Sequence, residues 1–344
     1  MIRVMVVDDS AYSRVAISRM LEQHPEIEVM ATASTGEEAI RKIMRERPDV
    51  VTLDLEMSGM DGFSVLRWLE ANLPTPIVVV SSQNTEKNVF KALEMGAVEF
   101  VAKPTGRASP LLGQMEQDLI VKVLSASKAR VPAPVPPEII PELPQTQARF
   151  SPGGPALVLI GASTGGPPTI QKILSALPPL PVPIVVAQHM PPVFTSLFAE
   201  RLNKVTLFPV IEARDGECLE PGKAYIAPGG QHTVIQMHNT VALLRLVPKI
   251  ESDLHCPSVN HLFNSAARHF RERLVAVLLT GMGDDGAEGM LDIHRAGGHC
   301  IAESMESAVI FGMPGEAVRL GAADQIIPSW QISAALMHLL QKKA

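Results

Sequence analysis

At 344 residues the chain exceeds what one ordinary core accommodates and suits two domains, each able to bury its own interior. Its 46% hydrophobic, 19% charged and 4% aromatic content is that of an aliphatic α/β protein and excludes the disordered and fibrous classes. A formal net charge of -6 without a basic run leaves no electrostatic footprint for a nucleic acid.

Cys218, Cys256 and Cys300 are scattered, odd in number and never in a C-x-x-C pair, the usage of reduced thiols inside a cell. Asp8-Asp9 falls where a signal peptide needs apolar residues, and no segment is long enough to span a bilayer. A cytoplasmic protein without direct membrane insertion is expected.

Short aliphatic runs at 4–7, 50–53, 77–80 and 100–101 alternate with amphipathic stretches at 13–23 and 37–45. The alternation predicts βα units on a parallel sheet, whose strands are apolar throughout because helices cover both faces. A last helix near 109–124 closes the domain. Asp8 and Asp9 end the first strand and Asp54 the third, so three carboxylates meet at the carboxyl edge, where such sheets place their ligands. Their repulsion calls for a cation, and Mg2+ suits oxygen ligands and an incoming phosphoryl group that Asp54 attacks. Lys103, ending the fifth strand, brings an ammonium beside that group, and Ser81, ending the fourth, a hydroxyl. Singly, each is an ordinary cap, turn or solvated residue; jointly, that bland reading fails.

Asp8-Asp9, the run Asp54-Leu-Glu-Met-Ser-Gly-Met-Asp-Gly62, Ser81-Ser82, Phe100 and Lys103-Pro104 resemble a two-component receiver domain over residues 1–122. The resemblance implies a flavodoxin-like (βα)5 fold with Asp54 as phosphoacceptor. It implies Mg2+ on Asp8, Asp9, Asp54 and the Glu56 backbone carbonyl, Lys103 as phosphate contact, and Ser81 with Phe100 as switch pair. Ser58 stands where receivers usually carry proline, which bears on the stiffness of the loop after the acceptor.

Prolines at 132, 134, 136, 137, 141, 144, 152 and 155 mark the segment 123–155 as a Pro-rich linker, extended and semi-rigid. A second alternating pattern fills 156–344, with strands at 157–160, 184–187, 224–226 and 274–279 and helices at 169–177 and 259–270. It predicts another doubly wound, mostly parallel α/β domain. The strand at 156–160 runs into Gly161-Ala-Ser-Thr-Gly-Gly166 and a helix, so Ser163 sits on a tight turn near a helix N-terminus.

Two readings compete there, a dinucleotide-phosphate cradle and a nucleophile elbow. The fingerprint's second glycine is Ser163, and the next strand ends in Gln188-His189 rather than an acidic residue, which suits a base better than a ribose ligand. Thr280-Gly-Met-Gly-Asp-Asp-Gly286 follows the strand at 274–279 and brings a carboxylate to the same edge, so nucleophile, base and orienter converge. The ordinary alternatives are a helix-capping Ser163, a satisfied buried His189 and an Asp285 in a Gly-rich turn. His255, His261, His294 and His299 match no common metal-ligand spacing and are read as structural or solvated.

With Ala224-Tyr-Ile-Ala-Pro-Gly-Gly-Gln-His232, Pro257-Ser-Val-Asn-His-Leu-Phe263 and Phe311-Gly-Met-Pro314, the pattern resembles the chemotaxis protein-glutamate methylesterases, the CheB family. That resemblance implies a triad of Ser163, His189 and Asp285, with Asp284 the weaker candidate. It also implies Thr164 beside the nucleophile, the Met282 amide as oxyanion donor, and an esterase without cofactor. Gly315 departs from the family's usual basic residue. The implied substrates are glutamyl γ-methyl esters, and glutamine amides, on chemoreceptor helices; the implied phosphodonor is the pathway's histidine kinase. An unphosphorylated receiver is expected to cover the esterase cleft. The competing reading is a phospho-switched binding module with a catalytically silent C-terminal domain.

Overall fold

The fold, given by a computed structural model, is described for residues 1–82, 86–103, 111–130, 154 and 156–341. The chain forms two compact units, Met1–Val131 and Pro132–Ala344.

The first unit holds β1 (Ile2–Val7), α1 (Ala11–Leu21), β2 (Ile27–Ala33), α2 (Gly36–Glu46), β3 (Val50–Leu53) and α3 (Gly62–Asn72). It continues with β4 (Ile77–Ser82), α4 (Glu86–Glu94), β5 (Glu99–Lys103) and α5 (Leu111–Ala126). The strands make one parallel sheet in the order β2-β1-β3-β4-β5. β3 is buried throughout, the consequence of helices on both faces. Ser10, Thr35 and Asp61 start α1, α2 and α3 by accepting from the N–H groups of Ser13, Glu38 and Ser64.

Strand β2 has no aliphatic run in the sequence because it is a sheet edge, buried only at Ile27 and Ala33 and exposed at Glu28. Helix α5 continues past residue 122 to Ala126, with Leu119, Val123 and Ala126 all buried. The expected helix start at 109–110 and the linker residues 131–153 and 155 lie outside the described residues.

The second unit opens with β6 (Leu157–Ala162), α6 (Gly166–Ser175), β7 (Ile184–Gln188), α7 (Pro192–Val205), β8 (Val210–Glu212), β9 (Glu217–Cys218) and β10 (Ala224–Ile226). It goes on through β11 (Gln231–His238), β12 (Val241–Pro248), α8 (Val259–Phe270), β13 (Leu274–Leu278) and α9 (Ala287–Arg295). β14 (His299–Glu303), α10 (Met313–Arg319), β15 (Gln325–Ile327) and α11 (Ser329–Gln341) complete it. Seven strands form a parallel sheet in the order β15-β14-β13-β6-β7-β10-β8. A separate antiparallel sheet, β11-β12-β9, was not foreseen. Its hairpin turns at Asn239, which adopts φ 55°, so the sequence signal was the asparagine of a tight turn between two alternating runs.

Leu157, Leu159, Val185, Tyr225, Ala276 and Leu278 of the large sheet pack under Val259, Leu262 and Phe263 of α8. Strand β6 lies between β7 and β13, in registers that pair Ala162 with Gln188 and Gly161 with Leu278. Residues just beyond those three strand ends therefore emerge side by side in the crevice of a topological switch point. Among the described residues no helix is long and apolar enough to cross a membrane.

Leu159→Ala should lower the unfolding free energy of the second unit by about 2–5 kcal/mol through lost burial and a residual cavity. Urea unfolding measures this; a loss under about 1 kcal/mol would place Leu159 outside a close-packed core.

Candidate active site and phosphoacceptor site

In the first unit β1 and β3 are neighbours, with Val7 opposite Leu53, so Asp8, Asp9 and Asp54 leave the sheet together. One oxygen from each lies within 4.8 Å of the others; Asp8 and Asp54 are buried and Asp9 is exposed. Lys103 Nζ donates to Asp8 Oδ2 at 2.7 Å and also to Asp54 Oδ2. The Ser10 N–H donates to Asp8 Oδ1 at 2.9 Å and the Glu56 N–H to Asp54 Oδ1 at 3.1 Å. Burial holds the Asp8 carboxyl above its usual range although Lys103 opposes it. Against the burial that would lower it, Asp54 and Asp8 hold the Lys103 ammonium above its ordinary value. Three convergent carboxylates are a hard, all-oxygen donor set, which fits Mg2+.

Ser81 and Phe100 are both buried, on adjacent strands. Lys122 Nζ donates to the Phe100 carbonyl at 2.6 Å and lies 4.9 Å from its ring centroid. Ser58, the departure from proline, has a task in this chain: its N–H donates to Asp9 Oδ2 at 3.1 Å, a bond that proline lacks the hydrogen to make.

In the second unit the paired strand ends bring Ser163, His189 and Asp285 together. His189 Nδ1 is 3.1 Å from Ser163 Oγ, and His189 Nε2 is 2.8 Å from Asp285 Oδ2. The carboxylate fixes the tautomer, since Nε2 must carry the hydrogen it shares with Asp285, and Nδ1 keeps its lone pair toward the serine. In the chymotrypsin-type arrangement the two ring nitrogens have exchanged places. Of the adjacent aspartates, Asp285 is buried and reaches the imidazole, whereas Asp284 is exposed.

Asp285 also accepts from Ser258 Oγ at 2.9 Å, the Val259 N–H at 2.7 Å and the Asn260 N–H at 2.9 Å. These donors are the cap and first amides of α8, which otherwise lack intrahelical partners. Burial alone would raise the Asp285 carboxyl, but His189 and those amides hold it well below the usual carboxylate range.

The turn bearing Ser163 is clamped by its neighbours. The Ser163 N–H donates to the Thr280 carbonyl at 2.9 Å, and Thr280 Oγ1 donates to the Thr164 carbonyl at 2.8 Å. Gln188 Nε2 donates to the Ser163 carbonyl at 2.9 Å and the His189 carbonyl at 3.1 Å, tying the two backbones to one side chain. Glu303, a buried carboxylate pushed up by burial, accepts from the Thr280 N–H and Ser307 Oγ, each at 2.7 Å. Gly165 adopts φ 76° to start α6, and Gly281 allows close approach, because a Cβ there would stand 2.7 Å from Ser163 Cβ. Met282 follows Gly281, and no acceptor among the described residues takes its N–H. Gly315 lies in the first turn of α10, beside the Phe311 ring.

Sequence reasoning missed four of these supports. Gln188 served only as a strand end, Ser258 only as part of a motif, and Glu303 not at all. His255, read as structural or solvated, stacks on His189 with ring centroids 4.1 Å apart and planes 11° from parallel. The cap at Ser258, just before a helical run, was a readable signal; the His255 contact crosses the site and had none.

Burial, helped by the charge of His189, lowers the His255 imidazole to about 4 from an ordinary 6.5. Between those values the unfolded chain binds more protons than the folded one, so stability falls as pH drops through that window. His255→Phe keeps a ring on His189 but nothing to protonate. Thermal melts of the second unit should lose less stability between pH 6.5 and 4 in this variant than in wild type; equal slopes would mean His255 is not held neutral.

Residues 158–336 match the family model described as CheB methylesterase, and residues 4–111 that of the response regulator receiver domain. The chain is 43% identical over 344 residues to "Protein-glutamate methylesterase/protein-glutamine glutaminase 1" of Myxococcus xanthus (strain DK1622), covering 99% of this chain and 98% of that protein. It is 44% identical over 359 residues to "Protein-glutamate methylesterase/protein-glutamine glutaminase 3" of Geobacter sulfurreducens (strain ATCC 51573 / DSM 12127 / PCA), covering 98% and 97%. The crystal structure of the Thermotoga maritima CheB methylesterase catalytic domain superposes with a TM-score of 0.53 at 40% identity, covering 54% of this chain and 98% of that one. A receiver-type carboxylate cluster in the first unit, a serine, imidazole and carboxylate in line in the second, and relatives matched almost end to end make this chain a member of the CheB methylesterase family.

Proposed function

We propose that this protein is a cytoplasmic serine hydrolase that removes methyl groups from glutamyl γ-methyl esters on chemoreceptor helices, also hydrolyses receptor glutamine amides, and is controlled by phosphorylation of Asp54. The observation that carries the reading is the unbroken hydrogen-bonded line from Ser163 Oγ through His189 to Asp285 Oδ2. The names of the relatives, which join methylesterase and glutaminase, support the two substrate classes.

Ser163 Oγ attacks the ester carbonyl carbon as its proton passes to His189 Nδ1. Asp285 keeps the Nε2 hydrogen, so the imidazolium forms against a carboxylate already oriented by α8. The oxyanion meets the Met282 N–H, with Thr164 beside the nucleophile. Collapse breaks the carbon–methoxy bond, and the leaving oxygen takes the proton from His189 to depart as methanol. Water then gives a proton to His189 and attacks the acyl-serine; the bond to Oγ breaks, Ser163 regains its hydrogen, and glutamate remains. With a glutamine substrate the leaving group is ammonia.

In the receiver, a carboxylate oxygen of Asp54 forms a bond to the phosphorus of a phosphohistidine on the pathway's kinase as the P–N bond breaks and the kinase imidazole leaves. Asp8, Asp9, Asp54 and the Glu56 carbonyl would hold Mg2+, which would supply positive charge to neutralise the phosphoryl oxygens. Lys103, paired with Asp54 in the free carboxylate, transfers its contact to the phosphate. The modification adds about -1.5 to -2 charge at the sheet edge, to which Ser81 and Phe100 respond.

Methanol release from methylated receptors should fall at least about 1,000-fold in Ser163→Ala and about 10,000-fold in Asp285→Asn, which offers the wrong tautomer partner. Near-normal release by Ser163→Ala would refute the nucleophile. Failure of a fluorophosphonate probe to label Ser163 in wild type would favour a silent binding module. Acetyl phosphate with Mg2+ should raise the wild-type rate and leave Asp54→Asn unchanged; an equal rise in both would remove Asp54 from control.

A further inference from the structure

A second imidazole–carboxylate pair lies behind the first. His232, on β11 and fully buried, has Nε2 2.8 Å from Asp253 Oδ2, and its ring stacks on His261 at 4.1 Å. Ligand atoms of His232, Asp253 and His261 fall within 4.8 Å of one another, the spacing of a metal site. One bond decides against that use. The Ser258 N–H donates to His232 Nδ1 at 3.2 Å, so Nδ1 holds the lone pair and the hydrogen of the neutral ring is on Nε2, given to Asp253. A metal-binding histidine instead donates its outer N–H and turns a lone pair to the ion.

Ser258 is the link between the two pairs. It takes its backbone partner from His232 and donates its single hydroxyl hydrogen to Asp285 Oδ1 at 2.9 Å. The next two amides, Val259 and Asn260, also reach Asp285, so the setting of this one turn decides three of the four hydrogen bonds to that carboxylate. Asp253 is itself anchored: Oδ2 accepts from the Ile250 N–H at 2.7 Å, and that amide with His232 holds its carboxyl below the usual range. A continuous hydrogen-bonded chain thus runs from Asp253 through His232, Ser258, Asp285 and His189 to Ser163.

We propose that Asp253 and His232 form a positioning pair that sets the first turn of α8 and through it the orientation of Asp285. The pair touches neither substrate nor reacting atoms, and its effect rests on the hydrolase reading above. Asp253 fixes which nitrogen of His232 is protonated, and that choice supplies the acceptor Ser258 needs. With the acceptor gone, the Ser258 N–H is buried without a partner and the turn shifts to regain one, carrying its three donors away from Asp285.

The amides of asparagine and glutamine separate the two ring nitrogens. His232→Asn leaves an oxygen near the position of Nδ1 and keeps the acceptor for Ser258. His232→Gln reaches the position of Nε2, keeps Asp253 and deserts Ser258. Full-length His232→Gln should lose about 10- to 100-fold in kcat for methyl-ester hydrolysis with KM unchanged, while His232→Asn recovers most of the loss. The rate of fluorophosphonate labelling of Ser163 should follow the same order. Equal kcat in the two variants, beside an active wild type, would overturn the proposal; an inactive wild type would instead overturn the hydrolase reading. Should His232→Gln not fold, Asp253→Ala against Asp253→Asn asks the same question, because asparagine still accepts from Nε2. A kcat lowered in Asp253→Ala and rescued in Asp253→Asn supports the pair, and no rescue removes it.

Discussion

Asp285 meeting the first turn of α8 is the contact on which the second unit's chemistry depends. A buried carboxylate is costly unless its charge is answered, and the start of a helix has unbonded amides that need an acceptor. Each satisfies the other, through the Ser258 hydroxyl and the Val259 and Asn260 N–H groups. The result is a carboxylate answered by three donors of one helix turn, with His189 Nε2 as its fourth partner. Displacing α8 would unsettle the tautomer of His189, and with it the lone pair facing Ser163.

The two units apply one topological rule with opposite electrostatics. Both gather their polar groups where a parallel sheet reverses its strand order, after β1 and β3 in one and after β6, β7 and β13 in the other. In the first, three carboxylates converge while one lysine answers two of them, Asp8 and Asp54, which leaves an excess of negative charge on a hard oxygen donor set. In the second, helix amides answer the carboxylate, and an imidazole is left beside a hydroxyl. His255 lies flat on that ring, and burial lowers its own affinity for a proton.

Around Ser163, rigidity comes from many short polar bonds rather than from one strong pair. Gln188 ties the Ser163 and His189 carbonyls together, Thr280 holds the Ser163 amide and the Thr164 carbonyl, and Glu303 holds Thr280 from beneath. Gln188, Thr280, Thr164 and Glu303 are buried, where such bonds tolerate little displacement because a lost partner is not readily replaced by water. Ser58 belongs to the same class of detail in the first unit, steadying Asp9 with an amide hydrogen.

The sequence by itself determined the two α/β units, four strands in each, and the segments bearing Asp8, Asp9, Asp54, Lys103, Ser163, His189 and Asp285; β8, β9, β14 and β15 were not foreseen. Burial on both faces leaves a continuous aliphatic run, and chemistry at a strand end leaves a polar residue directly after it, so both are written in local order. The edge strand β2 escaped because a strand with one open side carries no such run, and the β11–β12 hairpin because its alternation also suits a loop-rich stretch. Which imidazole nitrogen faces the serine, and the tasks of Gln188, His232, His255, Ser258 and Glu303, were decided only by tertiary structure. Those depend on distances between segments far apart in the chain, and a hydrogen bond that spans such a separation leaves no periodicity in the sequence to read.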